Sequence, residues 1–257
     1  MKKIISNIRR AIEDYKMINA GDKIAVGLSG GKDSLTLLFA LSFLKKHIHK
    51  NFELIAVTVD CTNGETDYTT LKKWCSEICS VELIVEKCNI FQIIFNERQE
   101  KNPCSLCSKM RRGVLNTVAI ANGCNKIALG HHADDLNETL FLSMFYEGRL
   151  STFAPVSFLD RTNITLIRPL LYIFEQEIIN NVESVKKQHA VKGKTPLVAQ
   201  PFPIINNCCA ANGNTKRDYI KQLIKQIEKD IPTVKERILD AITNPSRYNL
   251  FNKLGID

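Results

Sequence analysis

Three groups of residues in this 257-residue chain have the types and spacing that chemistry requires. The first is Ser29-Gly30-Gly31-Lys32-Asp33-Ser34. Glycines let a backbone approach a phosphate, a helix starting in such a loop aims free N–H groups at the anion, and Lys32 adds a positive charge. The spacing is not that of a Walker A loop: three residues rather than four separate Gly27 from Gly31-Lys32, and Asp33 stands where Ser or Thr would hold magnesium. The loop instead suits the diphosphate that departs when ATP is cut between its α- and β-phosphates; the competing reading is an ordinary Gly-rich turn. The second group is Gly130-His131-His132-Ala133-Asp134-Asp135. Its paired carboxylates could hold Mg²⁺ against phosphates, or simply cap a helix and complement its dipole. The third is Pro103-Cys104-Ser105-Leu106-Cys107, followed by Lys109, Arg111 and Arg112. A Cys-x-x-Cys turn brings two thiolates to one metal, and cationic neighbours favour the deprotonated form. Taken alone, the pair fits a redox dithiol, half a zinc site or iron–sulfur ligation. Lys109, Arg111 and Arg112 are candidates for stabilising phosphate or RNA charge, against the plainer reading of a solvated basic helix face.

Each group needs an element to hold it. Residues 3–17 place Ile4, Ile5, Ile8, Ala11, Ile12 and Tyr15 at helical spacing. KIAVGL at 23–28 then reads as a strand ending in the Ser-Gly-Gly loop, with a leucine-rich helix over 33–46. The alternation continues with a strand at 54–60, a helix over 68–79, a strand at 81–85, a helix over 90–97, a helix over 109–122, a strand at 126–129 and a helix over 134–146. Beyond 151 a strand at 164–168 and helices over 174–188, 215–228 and 233–242 complete the pattern. Apolar strands alternating with helices predict an α/β fold with a mostly parallel sheet, whose ligands bind beyond the carboxyl ends of the strands. Ser29-Gly30, Asp60 and Gly130-His131 all occupy such ends. The expected organisation is an N-terminal helix over 1–20, a nucleotide-binding domain over 21–188, and a connection with C-terminal helices over 189–257.

Hydrophobic residues at 44% and charged residues at 24% are ordinary globular usage and argue against wholesale disorder. A net charge of +8 and a pI near 9.0 favour a polyanionic partner. Nine cysteines form an odd number, no export signal precedes them and no apolar run is long enough to span a bilayer, so the expectation is a cytoplasmic protein with reduced thiols and no membrane partner. Cys61, Cys75, Cys79, Cys88 and Cys124 read as small packed hydrophobes.

SGGKDS at 29–34 resembles the signature of the PP-loop ATP pyrophosphatases, which adenylate a carbonyl oxygen and release pyrophosphate. GHHADD at 130–135 is similar to the second element of their tRNA-modifying branch, and Arg168-Pro169 stands where those relatives carry an arginine near the nucleotide phosphates. With PCSLCSKMRRG at 103–113 and Cys209-Ala210-Ala211-Asn212-Gly213-Asn214-Thr215-Lys216-Arg217, the chain resembles the tRNA 2-thiocytidine synthetase family from about residue 8 to 220. The resemblance implies a PP-loop fold, adenine nucleotide alpha hydrolase-like and Rossmann-like, with a helical C-terminal extension. It implies nucleotide contacts from Ser29, Gly30, Gly31, Lys32, Asp33, Ser34, Asp60, Gly130, His131, Asp134, Asp135 and Arg168, with Lys32, Asp33, Asp135 and Arg111 in catalysis. It also implies a [4Fe-4S] cluster on Cys104, Cys107 and Cys209 that leaves one iron without a protein ligand, together with Mg²⁺, ATP, tRNA and a sulfur donor, either a cysteine desulfurase system or free sulfide. A homodimer is left open. Relatives usually have proline where this chain has Ala210, and Cys208 precedes Cys209; only Cys209 keeps the offset to Gly213 and Thr215-Lys216-Arg217. The other readings are a uridine thiolase or lysidine-type ligase of the same superfamily, and a non-catalytic RNA-binding protein with structural zinc.

Overall fold

In the computed structural model, which describes residues 1–48, 50–62, 64–94, 103–190, 200–205, 215–244 and 246, a six-stranded sheet runs in the order β3-β2-β1-β4-β6-β5. Its strands are β1 (Lys23–Gly27), β2 (Glu53–Asp60), β3 (Leu83–Lys87), β4 (Lys126–Ala128), β5 (Val156–Leu159) and β6 (Ile164–Ile167). β1 pairs in parallel with β2, Ile24 opposite Leu54, and with β4, Ile24 opposite Lys126; β4 pairs in parallel with β6. The central strands are apolar almost throughout because helices cover both faces of such a sheet. Chain order reverses between β1 and β4, so the crevice beyond their carboxyl ends is the topological switch point where open α/β sheets bind ligands.

The helices are α1 (Lys2–Asp14), α2 (Lys32–His47), α3 (Thr69–Trp74) with a π-turn at Cys75–Cys79, the short α4 (Ile90–Gln92), α5 (Pro103–Ala121), α6 (Ala133–Glu147), α7 (Glu175–Ala190), α8 (Lys216–Asp230) and α9 (Val234–Thr243). α1 buries a single stripe, Ile4, Ile5, Ile8, Ala11 and Ile12. α2 is buried almost all round, as befits the helix behind the loop at 29–31. Leu115, Val118 and Ala119 of α5 join Ala25, Ile55, Val57, Ile127 and Leu166 in a continuous core on one sheet face.

Three elements differ from the pattern predicted from sequence. The helix expected over 68–79 gives way at Cys75 to the π-turn, which ends on Ser80 in the left-handed region at φ 54°. The helix expected to begin at 109 begins at Pro103, so Cys104 and Cys107 stand in its first turn; proline at a first helical position costs nothing because that N–H has no partner. The antiparallel edge strand β5 was not foreseen, since it is only half buried and its Phe158 is exposed.

The described residues gather into two compact units, one of residues 1–132 and 154–212, the other of 133–153 and 213–257. The expected sequential division at residues 20 and 188 cuts across them. In the second unit α6 packs on α8 and α9. α8 starts with a capping box in which Thr215 and Asp218 each satisfy the other's backbone N–H.

Candidate active site

Two loops meet at the switch point within the first unit. Gly30 has φ 78°, a conformation that glycine adopts freely, and a Cβ there would lie 2.9 Å from the Cβ of Ile205. The Ile205 N–H donates to the Gly30 carbonyl at 3.0 Å, tying down the loop's outer side. On its inner side the Ser34 hydroxyl donates to the Gly31 carbonyl at 3.0 Å, while the Ser29 and Gly31 N–H groups donate to the Ser34 and Ser29 hydroxyls at 3.2 and 3.3 Å. Gly130 closes against the same turn: a Cβ there would lie 3.1 Å from the Ser34 nitrogen. The Thr58 hydroxyl donates to the Leu28 carbonyl at 3.1 Å, fixing the chain as it enters the loop.

These loops border a cleft of about 320 Å³. Its walls include Ser29, Asp33 and Ser34 from the loop and α2, Val57 and Val59 from β2, Gly130 and His131 after β4, and Ser108, Arg111 and Arg112 from α5. One carboxylate oxygen of Asp33, Oδ1, is buried there without a hydrogen-bond partner. The Arg168 guanidinium, buried at the end of β6, donates to the Ala154 carbonyl at 2.6 Å and the Ser157 hydroxyl at 3.1 Å. Burial, helped by the positive charge of Arg112, brings its pKa down to about 10, so it still carries its charge at neutral pH.

Lys32 is not among the residues lining the cleft. Its ammonium lies 2.8 Å from Glu175 Oε1 and 3.2 Å from Asp33 Oδ2. Asp60 is buried with both oxygens engaged in its own turn, accepting from the Thr62 N–H and hydroxyl at 2.9 and 2.6 Å and from the Gly64 N–H at 2.8 Å. In the second unit Asp134 faces Lys235 at 3.4 Å, while Arg217 lies 3.5 Å from Asp135 and 2.8 Å from Glu138. Burial raises the Glu138 pKa above the usual carboxylate range, although Arg217 works against that shift.

The cysteine pair sits on the helix that walls the cleft. Cys107 interacts electrostatically with Cys61, the residue after β2, and with Arg111 one turn along α5. The thiol pair can share one proton; with the guanidinium alongside, Cys107 ionises first, and its pKa is drawn down to about 6 while that of Cys61 is pushed up. The Cys88 thiol, which interacts electrostatically with the same Cys61, donates to the Asp60 carbonyl at 3.3 Å. The Cys104 side chain and the whole of Cys208 and Cys209 lie outside the described residues. Among the described residues no three His, Cys, Asp or Glu side chains converge to hold a metal ion. Sequence reasoning missed Glu175, Cys61 and Cys88 as neighbours of the site. Glu175 carries no local motif, and Cys61 and Cys88 acquire their partner only when β2, β3 and α5 assemble.

Residues 1–192 match the PP-loop domain family. The chain is 35% identical over 263 residues to a tRNA-cytidine(32) 2-sulfurtransferase of Geobacter metallireducens, covering 98% of this chain and 93% of the relative. It is 36% identical over 270 residues to the protein of the same name from Coxiella burnetii, covering 100% and 97%. A solved structure of the U34-tRNA thiolase NcsA from Methanococcus maripaludis, with its [4Fe-4S] cluster, superposes with a TM-score of 0.71 at 24% identity, covering 98% of this chain and 80% of that one; at that identity the likeness speaks for the fold.

Proposed function

This chain belongs to the PP-loop family and, within it, to the tRNA-cytidine(32) 2-sulfurtransferases, and from that premise we propose that it adenylates the C2 oxygen of a tRNA cytidine with ATP and replaces that oxygen with sulfur. The observation that carries this reading is one cleft bordered both by the Ser-Gly-Gly loop and by the helix whose first turn holds Cys104 and Cys107. Nucleotide phosphates and a sulfur centre would thereby meet in the same space.

A pyrimidine C2 carbonyl is a poor place to exchange oxygen, because oxide or hydroxide leaves badly; an AMP ester leaves well. The loop at 29–34 and the N-terminus of α2 would receive the β- and γ-phosphates as the base oxygen attacks the α-phosphate and pyrophosphate departs. Arg111 and Arg112 line the cleft and would neutralise charge on phosphate or RNA. For Mg²⁺, Asp33 fits by its partnerless buried oxygen. Asp135 would take that role only by exchanging its pairing with Arg217. For a [4Fe-4S] cluster the donors fit in kind: cysteines three apart in one helical turn, one of them stabilised as a thiolate. Cys104, Cys107 and Cys209 would hold the cluster, which supplies an iron without a cysteine ligand for binding sulfur. The test is mass spectrometry of tRNA nucleosides after anaerobic incubation of the reconstituted protein with tRNA, Mg²⁺-ATP and sulfide. A 2-thiocytidine signal that needs ATP is the expected outcome; its absence, with iron and labile sulfide present, overturns the proposal. Colourless protein with stoichiometric zinc would point to the RNA-binding alternative.

A further inference from the structure

Glu175 is 143 residues from Lys32 in sequence, yet its carboxylate reaches the ammonium at 2.8 Å. Both side chains are about three-quarters buried. Burial works against the Lys32 charge, but Glu175 and Asp33 outweigh it and the pKa ends above that of an ordinary lysine. Glu175 is the first residue of α7, where an acid could serve merely to complement the helix dipole. That start is already provided for: Glu177 accepts the Phe174 N–H at 3.2 Å and pairs with Lys3 at 2.6 Å. Asp33 travels with Lys32 on α2, whereas Glu175 holds it from another helix.

We propose that Glu175 is a positioning residue that sets ATP affinity through Lys32. The inference rests on the reading of residues 29–34 as a phosphate loop. Phosphates entering the loop must draw the ammonium away from Glu175, and part of their attraction is spent on that exchange. Removing the Glu175 charge takes away the competitor for the ammonium and, with it, the restraint that holds the ammonium in place. Affinity for ATP then rises while turnover falls. A residue needed only for folding does not produce that split.

The experiment is a double-mutant cycle on the full-length, cluster-reconstituted protein, with ATP affinity read by calorimetry and pyrophosphate release by a coupled assay. Glu175→Gln is expected to tighten ATP binding by about threefold to tenfold and to slow pyrophosphate release per bound ATP. Glu175→Asp, which keeps the charge, should restore both toward wild type. In a Lys32→Ala background, Glu175→Gln should leave ATP affinity unchanged, because the group it acts through is gone. An unchanged affinity in the single variant, or the same change in both backgrounds, overturns the inference while wild-type ATP binding leaves the phosphate-loop reading intact. Wild-type protein that binds no ATP overturns both.

Discussion

Two charge arrangements flank the cleft in the first unit, and they are built in opposite senses. On the loop side a cation, Lys32, is held by the carboxylates of Asp33 and Glu175. On the α5 side an anion, the Cys107 thiolate, is held by the Arg111 guanidinium and the Cys61 thiol. Each partner set favours one charge state, a protonated lysine on one side and a cysteine thiolate on the other, as the proposed phosphate binding and metal ligation would require. On the proposed function, one side would serve ATP and the other sulfur chemistry. The two should be separable by substitution, even though both border one space.

The sharpest break is to disable the sides in turn. Cys107→Ala should abolish tRNA thiolation and most of the iron and labile sulfide, with ATP affinity near wild type. Lys32→Ala should keep its iron and lose about 10²–10³-fold in the rate of pyrophosphate release, the usual cost of removing a charge that stabilises a transition state. Loss of iron in Lys32→Ala, or loss of ATP binding in Cys107→Ala, would show the two sides to be coupled.

The fold was largely legible, because strand-loop-helix units leave a period that sequence retains: KIAVG, LIAVTVD and KIA all became parallel strands, with SGGKDS and GHH at their ends. What was missed lacks a local period and takes its place from the partners it meets in the folded chain. β5 has little apolar signal of its own and exists by pairing with β6. Glu175 looks like a routine first-turn acid until α7 brings it to α2. Cys61 and Cys88 have the sequence pattern of packed hydrophobes, yet assembly of the sheet and α5 brings Cys61 into electrostatic interaction with both Cys88 and Cys107.

The thiol side is sharpened by alkylation of cluster-free full-length protein. Cys107, with its pKa near 6, should react readily with iodoacetamide at neutral pH, while buried Cys75 and Cys79, whose pKa values are pushed up to about 12, should not. Arg111→Ala should slow Cys107 labelling at pH 6.5 by roughly threefold to tenfold, since the guanidinium favours the thiolate. Peptide mass spectrometry reads each site. The loop side is sharpened by Gly30→Ala, which forces an alanine to φ 78° with its Cβ 2.9 Å from Ile205. A loss of about 1–2 kcal/mol in folding stability and weaker ATP binding are expected, with iron content unchanged.

A third charge pair supplies the control for both sides. At the opposite, N-terminal end of the central strands, Lys126 donates to Asp22 at 2.7 Å and to the Met17 carbonyl at 2.8 Å, all buried. Neither Lys126 nor Asp22 is among the residues lining the cleft, so the pair's contribution should be to stability alone. Burial by itself would raise the Asp22 pKa, but hydrogen bonds from Lys126, the Asn19 N–H and Asn125 outweigh it and the folded value lies below the ordinary one. A carboxylate depressed in this way contributes stability that is fully present above its unfolded pKa, about 3.9, and is lost as pH falls through the folded value. Asp22→Asn should therefore destabilise the protein at pH 7, leave ATP affinity and iron content unchanged, and differ progressively less from wild type below about pH 4. Denaturant titrations across that range decide it: a stability gap that persists unchanged into acid would mean that the Asp22 charge contributes nothing, and that the Asn variant fails through packing instead.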